Sequence, residues 1–280
     1  MIVRIEDDFD LRKIADSGQC FRFNECGDGY SVVAGDKYVF VRKVTPNDDK
    51  TGETLEFDCS EEEFDTFWKN YFDLDTNYRG IRGLIDARED EYLYNASEYG
   101  TGIRILRQDP WEMLISFIIS QRKNIPAIKA SIEKICEAAG KKIATDKEGK
   151  DVFSFPTPEE LSALSIEQLS ACSLGYRDKY VKQAAMDVAS GAVKLDEWAG
   201  LDDAGLMEKL LSLYGVGVKV ANCEILFGYH RLDAFPKDVW INKVLDMKYP
   251  QGFLFDKYKP YNGVMQQYLF FYSRSEGMKD

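Results

Sequence analysis

The stretch LLSLYGVGVKVANCEILFGY, Leu210 to Tyr229, holds a glycine-rich break, Tyr214-Gly215-Val216-Gly217-Val218, directly before Lys219. Upstream, DAGLMEKLLSL places Leu206, Leu210, Leu211 and Leu213 on or near one side, the pattern of an amphipathic helix. Downstream the chain is largely apolar, with Val220, Ala221, Ile225, Leu226 and Phe227. The break between them is too short for anything but a tight turn, and Gly215 and Gly217 permit the positive φ that such a turn needs. Consecutive N–H groups at the start of the second helix then suit a phosphate. Such a hairpin between helices grips a nucleic-acid backbone without reading bases. A bare G-x-G is more often an ordinary turn between two helices. A Walker A loop is absent, and a dinucleotide fingerprint needs a preceding strand and a third glycine that this stretch lacks.

Lys219 is harder to dismiss. Near a helix N-terminus a cation faces the unfavourable end of the dipole, and partial burial disfavours the charged form. Both favour a free amine able to attack carbon. Nineteen residues on, AFPKDVWINKVL places Asp238 where a helix begins. For a single Asp a plain N-cap is the commoner role. A short return loop after the lysine helix would bring Asp238 back toward the hairpin. An amine and a carboxylate together could then break a glycosidic bond, the amine attacking C1′ while the carboxylate stabilises positive charge on the sugar.

The formal charge of −12 lowers the expectation of a nucleic-acid partner. The charge is concentrated, however. Between Thr45 and Glu98 there are 16 acidic and 5 basic residues, which leaves 32 acidic against 31 basic elsewhere. A near-neutral remainder leaves room for a local basic face. Cysteines stand at 20, 26, 59, 136, 172 and 223, with no C-x-x-C pair, so neither a zinc ribbon nor a cysteine-held iron–sulfur cluster is indicated. MIVRIEDDFD is not a signal peptide, and the longest apolar run, MLISFIIS, is too short to span a bilayer. A cytoplasmic, prokaryotic setting with no membrane association is expected.

The fold class expected is α+β: an N-terminal antiparallel β-sheet domain, residues 1–98, then an all-α body, residues 99–280, with the helix–hairpin–helix at about 206–229. QCFRFNE, YSVVAG and KYVFVRKV alternate like strands of a meander. Ser60 to Glu63 looks like a capping box that starts a helix with Phe64, Phe67, Trp68 and Tyr71 inward. From about residue 100 the pattern reads as entirely helical, with starts at Asp109-Pro110, Thr157-Pro158 and Ser165 and one long polar loop, GKKIATDKEGKD, at 140–151.

Five motifs in order, spanning residues 17 to 270, resemble the 8-oxoguanine DNA glycosylase/AP lyase family of helix–hairpin–helix glycosylases. They are SGQCFRF, LRQDPWEMLISFIIS, LGYRDKYV, GVGVKVANC with FPKDV, and PYNGVMQQYLFF. The resemblance implies Lys219 as nucleophile and Asp238 as its carboxylate. It implies a base pocket of Gly18 (whose carbonyl accepts the N7–H of the oxidised base), Cys223, Gln266 and Phe270. Tyr176 and Arg177 would fill the space left by the flipped base. Gln266 and Phe270 are four apart, as are Lys219 and Cys223, so each pair shares a helix face. Taken singly, Cys223 and Phe270 are more often core residues.

Where many relatives have a run of asparagines that contact the orphaned cytosine this chain has SQRKN, with Arg122 and Lys123 in place ahead of Asn124, three residues also expected at the DNA, and Ala127 replaces a second cytosine-reading arginine. Relaxed discrimination of the opposite base is therefore expected. Trp240 stands where relatives have a phosphate-binding histidine, beside the DNA backbone or in the core. His230 is assigned no chemistry. The partner implied is double-stranded DNA containing oxidised guanine, bound by a monomer, and the reaction implied needs no metal or organic cofactor. A monofunctional alkylated-base glycosylase and a non-catalytic DNA-binding module are the rival readings.

Overall fold

A computed structural model describes residues 1–44 and 52–277. The start of the acidic stretch, residues 45–51, lies outside the described residues. The architecture is α+β, as expected: an N-terminal antiparallel sheet followed by a mainly helical body. The strands are β1 (Ile2–Ile5), β2 (Phe23–Cys26), β3 (Gly29–Ala34), β4 (Lys37–Lys43) and β5 (Glu53–Phe57), in the order β1-β5-β4-β3-β2. Compactness divides the chain into two units, each of several segments, and one of the four cuts falls inside β4.

The first unit comprises Met1–Cys20, Arg42–Arg107 and His230–Asp280. In it β1 pairs antiparallel with β5, Ile2 opposite Glu56 and Ile5 opposite Glu53. Ser60 caps a helical run as expected, accepting from Glu63 N–H, but the reciprocal half of the box is not made. Glu63 instead accepts from Trp68 Nε1 at 3.0 Å. Phe64, Trp68, Tyr71 and Phe72 are buried, and the Phe57 ring meets Phe64 at 5.0 Å and Phe72 at 5.7 Å. Arg104 is wholly buried: its guanidinium reaches Asp7 Oδ2 at 2.9 Å and the carbonyls of Asp8, Phe72, Asp73 and Thr76. A buried guanidinium is tolerable only when its donors are so completely used.

His230, left without chemistry by the sequence, is a structural anchor. Its Nε2 lies 3.2 Å from Asp73 Oδ2, and Arg107 Nε and Tyr78 Oη donate to the same carboxylate at 2.8 and 2.9 Å. Hydrogen bonding by His230 and the charge of Arg107 hold the Asp73 carboxyl below the ordinary range despite its burial.

The second unit comprises Phe21–Val41 and Gln108–Tyr229. Its β2-β3-β4 meander is the one the alternation predicts, with Phe23 opposite Val32 and Val32 opposite Val39. The three predicted helix starts are all present. Asp109 caps Pro110–Ser120, Thr157 caps Pro158–Ala163, and Ser165 caps Ile166–Ala171, the last two as complete capping boxes. The polar loop at 140–151 is a correction. Residues Lys142–Thr145 and Asp151–Phe153 form an antiparallel hairpin, so this half is not entirely helical. Asp146 makes the turn by accepting from Glu148 N and Lys150 N, and Gly149 takes the positive φ.

Candidate active site

The hairpin is built as the sequence suggests, with two corrections. Asp203–Leu211 buries Leu206 and Leu210, and Leu213 follows them inward, but Leu211 is 40 % exposed and belongs to the outer face. The two glycines also differ. Gly215 has φ +84, and a Cβ there would lie 2.3 Å from Tyr180 Cγ, so both backbone and packing exclude a side chain. Gly217 has φ −106, an ordinary extended value, with open space where a Cβ would be. It is the N-cap of Val218–Cys223 and offers no capping side chain, so the first amides of that helix stay open to an outside acceptor.

Lys219 is the second residue of this helix and is half-buried. Its Nζ lies 3.3 Å from Ser120 Oγ and 5.3 Å from the centre of the Phe117 ring. Cys223, one turn on, is buried. A single π-turn, Glu224–Gly228, continues the helix and stacks Phe227 on Phe117 at 5.4 Å. Glu224 is fully buried there with neither carboxyl oxygen hydrogen-bonded; burial, with Asp109 nearby, pushes its acidity far toward the neutral form.

Between Pro110–Ser120 and Ile125–Ala139 lies the turn that carries Arg122, Lys123 and Asn124. Arg122 is exposed with φ +51, Asn124 caps the following helix through Ala127 N, and Lys123 turns inward to Ser131 Oγ (2.5 Å) and the Ser173 carbonyl (2.7 Å). Burial and the charges of Arg177 and Lys134 lower the Lys123 proton affinity. Of the expected gap-filling pair, Tyr176 is 51 % exposed. Arg177 is 7 % exposed, its guanidinium donates to the carbonyls of Gln121 and Leu174, and it stacks on Tyr176 at 4.4 Å. In this state it braces the turn. Gln121, which sequence reasoning passed over, donates from Nε2 to the Gly215 carbonyl at 3.0 Å and so ties that turn to the hairpin.

The remaining predicted residues belong to the first unit. Gly18 follows the C-cap Ser17 of Leu11–Asp16 with φ 77, the left-handed position that stops a helix. Gln19 fixes it, donating to Ser17 Oγ and the Arg104 carbonyl and accepting from Leu106 N. Asp238 is the N-cap of Val239–Lys248, accepting from Ile241 N at 2.8 Å, so the structural reading of this carboxylate holds alongside any chemical one. Trp240, at the second position of that helix, is half-buried.

The Asn262–Ser275 helix braces the loop that precedes Asp238. Gln266 Nε2 donates to the Pro236 carbonyl at 3.1 Å, Asn262 Nδ2 to Asp233 Oδ1 at 2.6 Å, and Gly263 N to the Leu232 carbonyl. Gln266 Oε1 in turn accepts from the buried Gln267, a residue the sequence reading missed; the doubled glutamine was its only signal. Phe270, four residues on from Gln266, is half-buried.

The second unit thus gathers Arg122, Lys123, Asn124, Tyr176, Arg177, Gly215, Gly217, Lys219 and Cys223, and the first gathers Gly18, Asp238, Trp240, Gln266 and Phe270. A cavity of about 670 Å³ in the second unit, lined by Trp111, Glu112, Phe155 and Leu195, sits at the N-terminal end of Pro110–Ser120, opposite the end that meets Lys219. No group of His, Cys, Asp or Glu among the described residues could hold a metal ion, and no described helix is long and apolar enough to cross a membrane.

Residues 1–114 match the family described as 8-oxoguanine DNA glycosylase, N-terminal domain, and residues 115–251 match the HhH-GPD superfamily of base excision DNA repair proteins. The N-glycosylase/DNA lyase of Saccharomyces cerevisiae is 32% identical over 265 residues, covering 85% of this chain and 68% of that protein. Among solved structures, MBOgg1 with a low-affinity DNA ligand superimposes with a TM-score of 0.88 at 37% identity, covering 99% of this chain and 96% of its own. The 8-oxoguanine glycosylase/lyase of Clostridium acetobutylicum, bound to double-stranded DNA with cytosine opposite 8-oxoguanine, gives 0.87 at 35%, covering 99% of each chain. The chain belongs to the 8-oxoguanine DNA glycosylase/lyase family within the HhH-GPD superfamily.

Proposed function

We propose that the chain excises oxidised guanine from double-stranded DNA and then nicks the abasic site, acting as a monomer. Membership of a family of N-glycosylase/lyases supports the reaction class. The observation that carries the assignment of residues is Lys219, a half-buried amine at the mouth of a helix opened by an uncapped glycine, partnered within its unit by a hydroxyl and a ring. In this reading the open amides at Gly217 hold a DNA phosphate, and Tyr176 and Arg177 occupy the gap left by the extruded base. Gly18, Cys223, Gln266 and Phe270 receive the base, and Trp240 lies along the backbone. Residues 1–98 supply Gly18, and residues 99–280 supply the rest.

The Lys219 amine bonds to C1′ as the bond from C1′ to the base breaks, the base leaving with the electron pair. Asp238 stabilises the positive charge on the sugar and aids proton transfer. The adduct nitrogen loses a proton and its lone pair forms the C1′=N bond as C1′–O4′ breaks, O4′ taking up a proton to become a hydroxyl, which gives the ring-opened Schiff base; loss of a C2′ proton then expels the 3′ phosphate and nicks the strand. Borohydride traps a covalent protein–DNA adduct, and Lys219→Gln abolishes it; an unchanged adduct yield refutes the assignment. A wild-type enzyme that excises but forms no adduct points to the monofunctional chemistry instead. Arg122, exposed where relatives present asparagine, supports relaxed reading of the opposite base. Excision rates against the four opposing bases test this, and a strong cytosine preference overturns it.

A further inference from the structure

Ser120 closes the Pro110–Ser120 helix, is 8 % exposed, and accepts from Lys219 Nζ at 3.3 Å. Its own proton is committed, because Oγ donates to the Phe117 carbonyl at 2.8 Å. A hydroxyl so engaged offers only lone pairs to a neighbour, so toward Lys219 it is an acceptor. The second surface beside the amine is the Phe117 ring, fixed edge-on by Phe21 at 5.6 Å and stacked by Phe227 at 5.4 Å. Within this unit the partners of Lys219 are this hydroxyl and this ring, with no carboxylate among them.

That choice of partners matters for a nucleophile. A carboxylate in the place of Ser120 would make a charge-assisted bond to the ammonium and hold the attacking lone pair protonated. A neutral acceptor takes one N–H of the free amine and so restricts the direction of the lone pair. We propose that Ser120 is a positioning residue for the nucleophile: it receives an N–H from Lys219 and sets the direction in which the amine presents its lone pair. Ser120 exchanges no proton in this role. The inference rests on the reading of Lys219 as nucleophile. The rigidity comes from the helix, whose residues Met113 to Ile119 are all buried, so that Ser120 is an accurately placed acceptor.

The test is single-turnover kinetics with enzyme in excess, following excision and borohydride trapping separately. Ser120→Ala lowers both rate constants by about tenfold, the cost of one oriented hydrogen bond. The final amplitude stays full, and affinity for a duplex carrying an uncleavable abasic analogue stays within about twofold. Ser120→Thr, which keeps the acceptor, recovers most of the rate. Ser116→Ala is the structural control, deleting a buried hydroxyl one turn earlier on the same helix that has no hydrogen-bond partner; it leaves the rate unchanged. A loss of amplitude at unchanged rate constant would mark a folding effect and overturn the proposal, as would a Ser116→Ala defect equal to that of Ser120→Ala. If the wild type forms a normal adduct and Ser120→Ala reacts at its rate, the role of Ser120 alone is refuted. If the wild type forms no adduct, the reading of Lys219 fails, and the role of Ser120 with it.

Discussion

Substituting Gly215 by Ala tests the most constrained point of the hairpin. The residue has φ +84, and an alanine forced into left-handed backbone costs about 1–2 kcal/mol. Its Cβ would stand 2.3, 2.6 and 2.7 Å from Tyr180 Cγ, Cδ2 and Cδ1, whereas carbon atoms in comfortable contact are roughly 3.5–4.0 Å apart. The Tyr180 ring must therefore shift, and it is held between Tyr176 at 5.9 Å and Tyr214 at 4.8 Å. Overpacking of this kind costs about 1–3 kcal/mol, so Gly215→Ala destabilises by about 2–5 kcal/mol in all. In a Tyr180→Ala background the overlap disappears and only the backbone share, about 1–2 kcal/mol, remains. Urea titrations of the four proteins of the cycle measure this as a midpoint shift at constant slope. Gly217→Ala is the counterpart: extended backbone and open space make it nearly neutral for stability, while a new methyl at the open amides weakens DNA binding. A Gly215→Ala protein within about 0.5 kcal/mol of wild type, or a cycle with no coupling, refutes the packing argument.

Two further substitutions separate structure from chemistry. Asp238→Asn retains an equally good N-cap and leaves stability within about 0.5 kcal/mol, while excision falls by on the order of 100-fold or more; Asp238→Ala adds a stability loss of about 1 kcal/mol. Equal activity of the Asn variant would confine Asp238 to capping. Glu112 is buried with Oε2 accepting from Gly35 N at 2.9 Å, and burial, partly offset by Arg22 and opposed in turn by Asp109 and Glu133, raises its pKa from 4.5 to about 7. A raised carboxyl means that the folded state holds the proton longer than the unfolded chain. Its stabilisation is full below pH about 4.5 and is lost as pH rises through about 7, on the order of 3 kcal/mol in total. Glu112→Gln removes that slope from a plot of unfolding free energy against pH; parallel curves for the two proteins refute it.

What the sequence exposed were features with local causes. Asp109, Thr157, Ser165 and Asp238 cap helices because a short polar side chain before an apolar period has one backbone task to do. The meander and the two helices of the hairpin likewise followed from period and turn chemistry. The β6–β7 hairpin (β6, Lys142–Thr145; β7, Asp151–Phe153) was missed because its charged, short strands carry no clear alternation, and its Asx turn lies inside a run that reads as loop. Gly217 was misassigned for the opposite reason: a glycine can be present for the space it leaves, and sequence does not separate that from positive φ.

The residues that brace the candidate site were illegible for a further physical reason. Gln121, Ser120 and Gln19 are polar side chains whose partners lie far away in sequence, at Gly215, at Lys219 and at Arg104 and Leu106. Each satisfies a buried polar group that would otherwise cost more than the bond returns. A helix period tells which face a glutamine occupies but not which carbonyl waits opposite it. The proposed nucleophile shows the consequence. The sequence supplies a reason for Lys219 to be chemically active, since a cation at a helix N-terminus is poorly placed for stability. On the proposed reading it supplies none for the direction of attack, because the acceptor beside Nζ is a serine ninety-nine positions away. A nucleophile can therefore be recognised from its own neighbourhood in the chain, whereas its orientation is a tertiary property. Substitutions that alter rate without altering affinity should concentrate on such bracing residues, not on the hairpin that first draws attention.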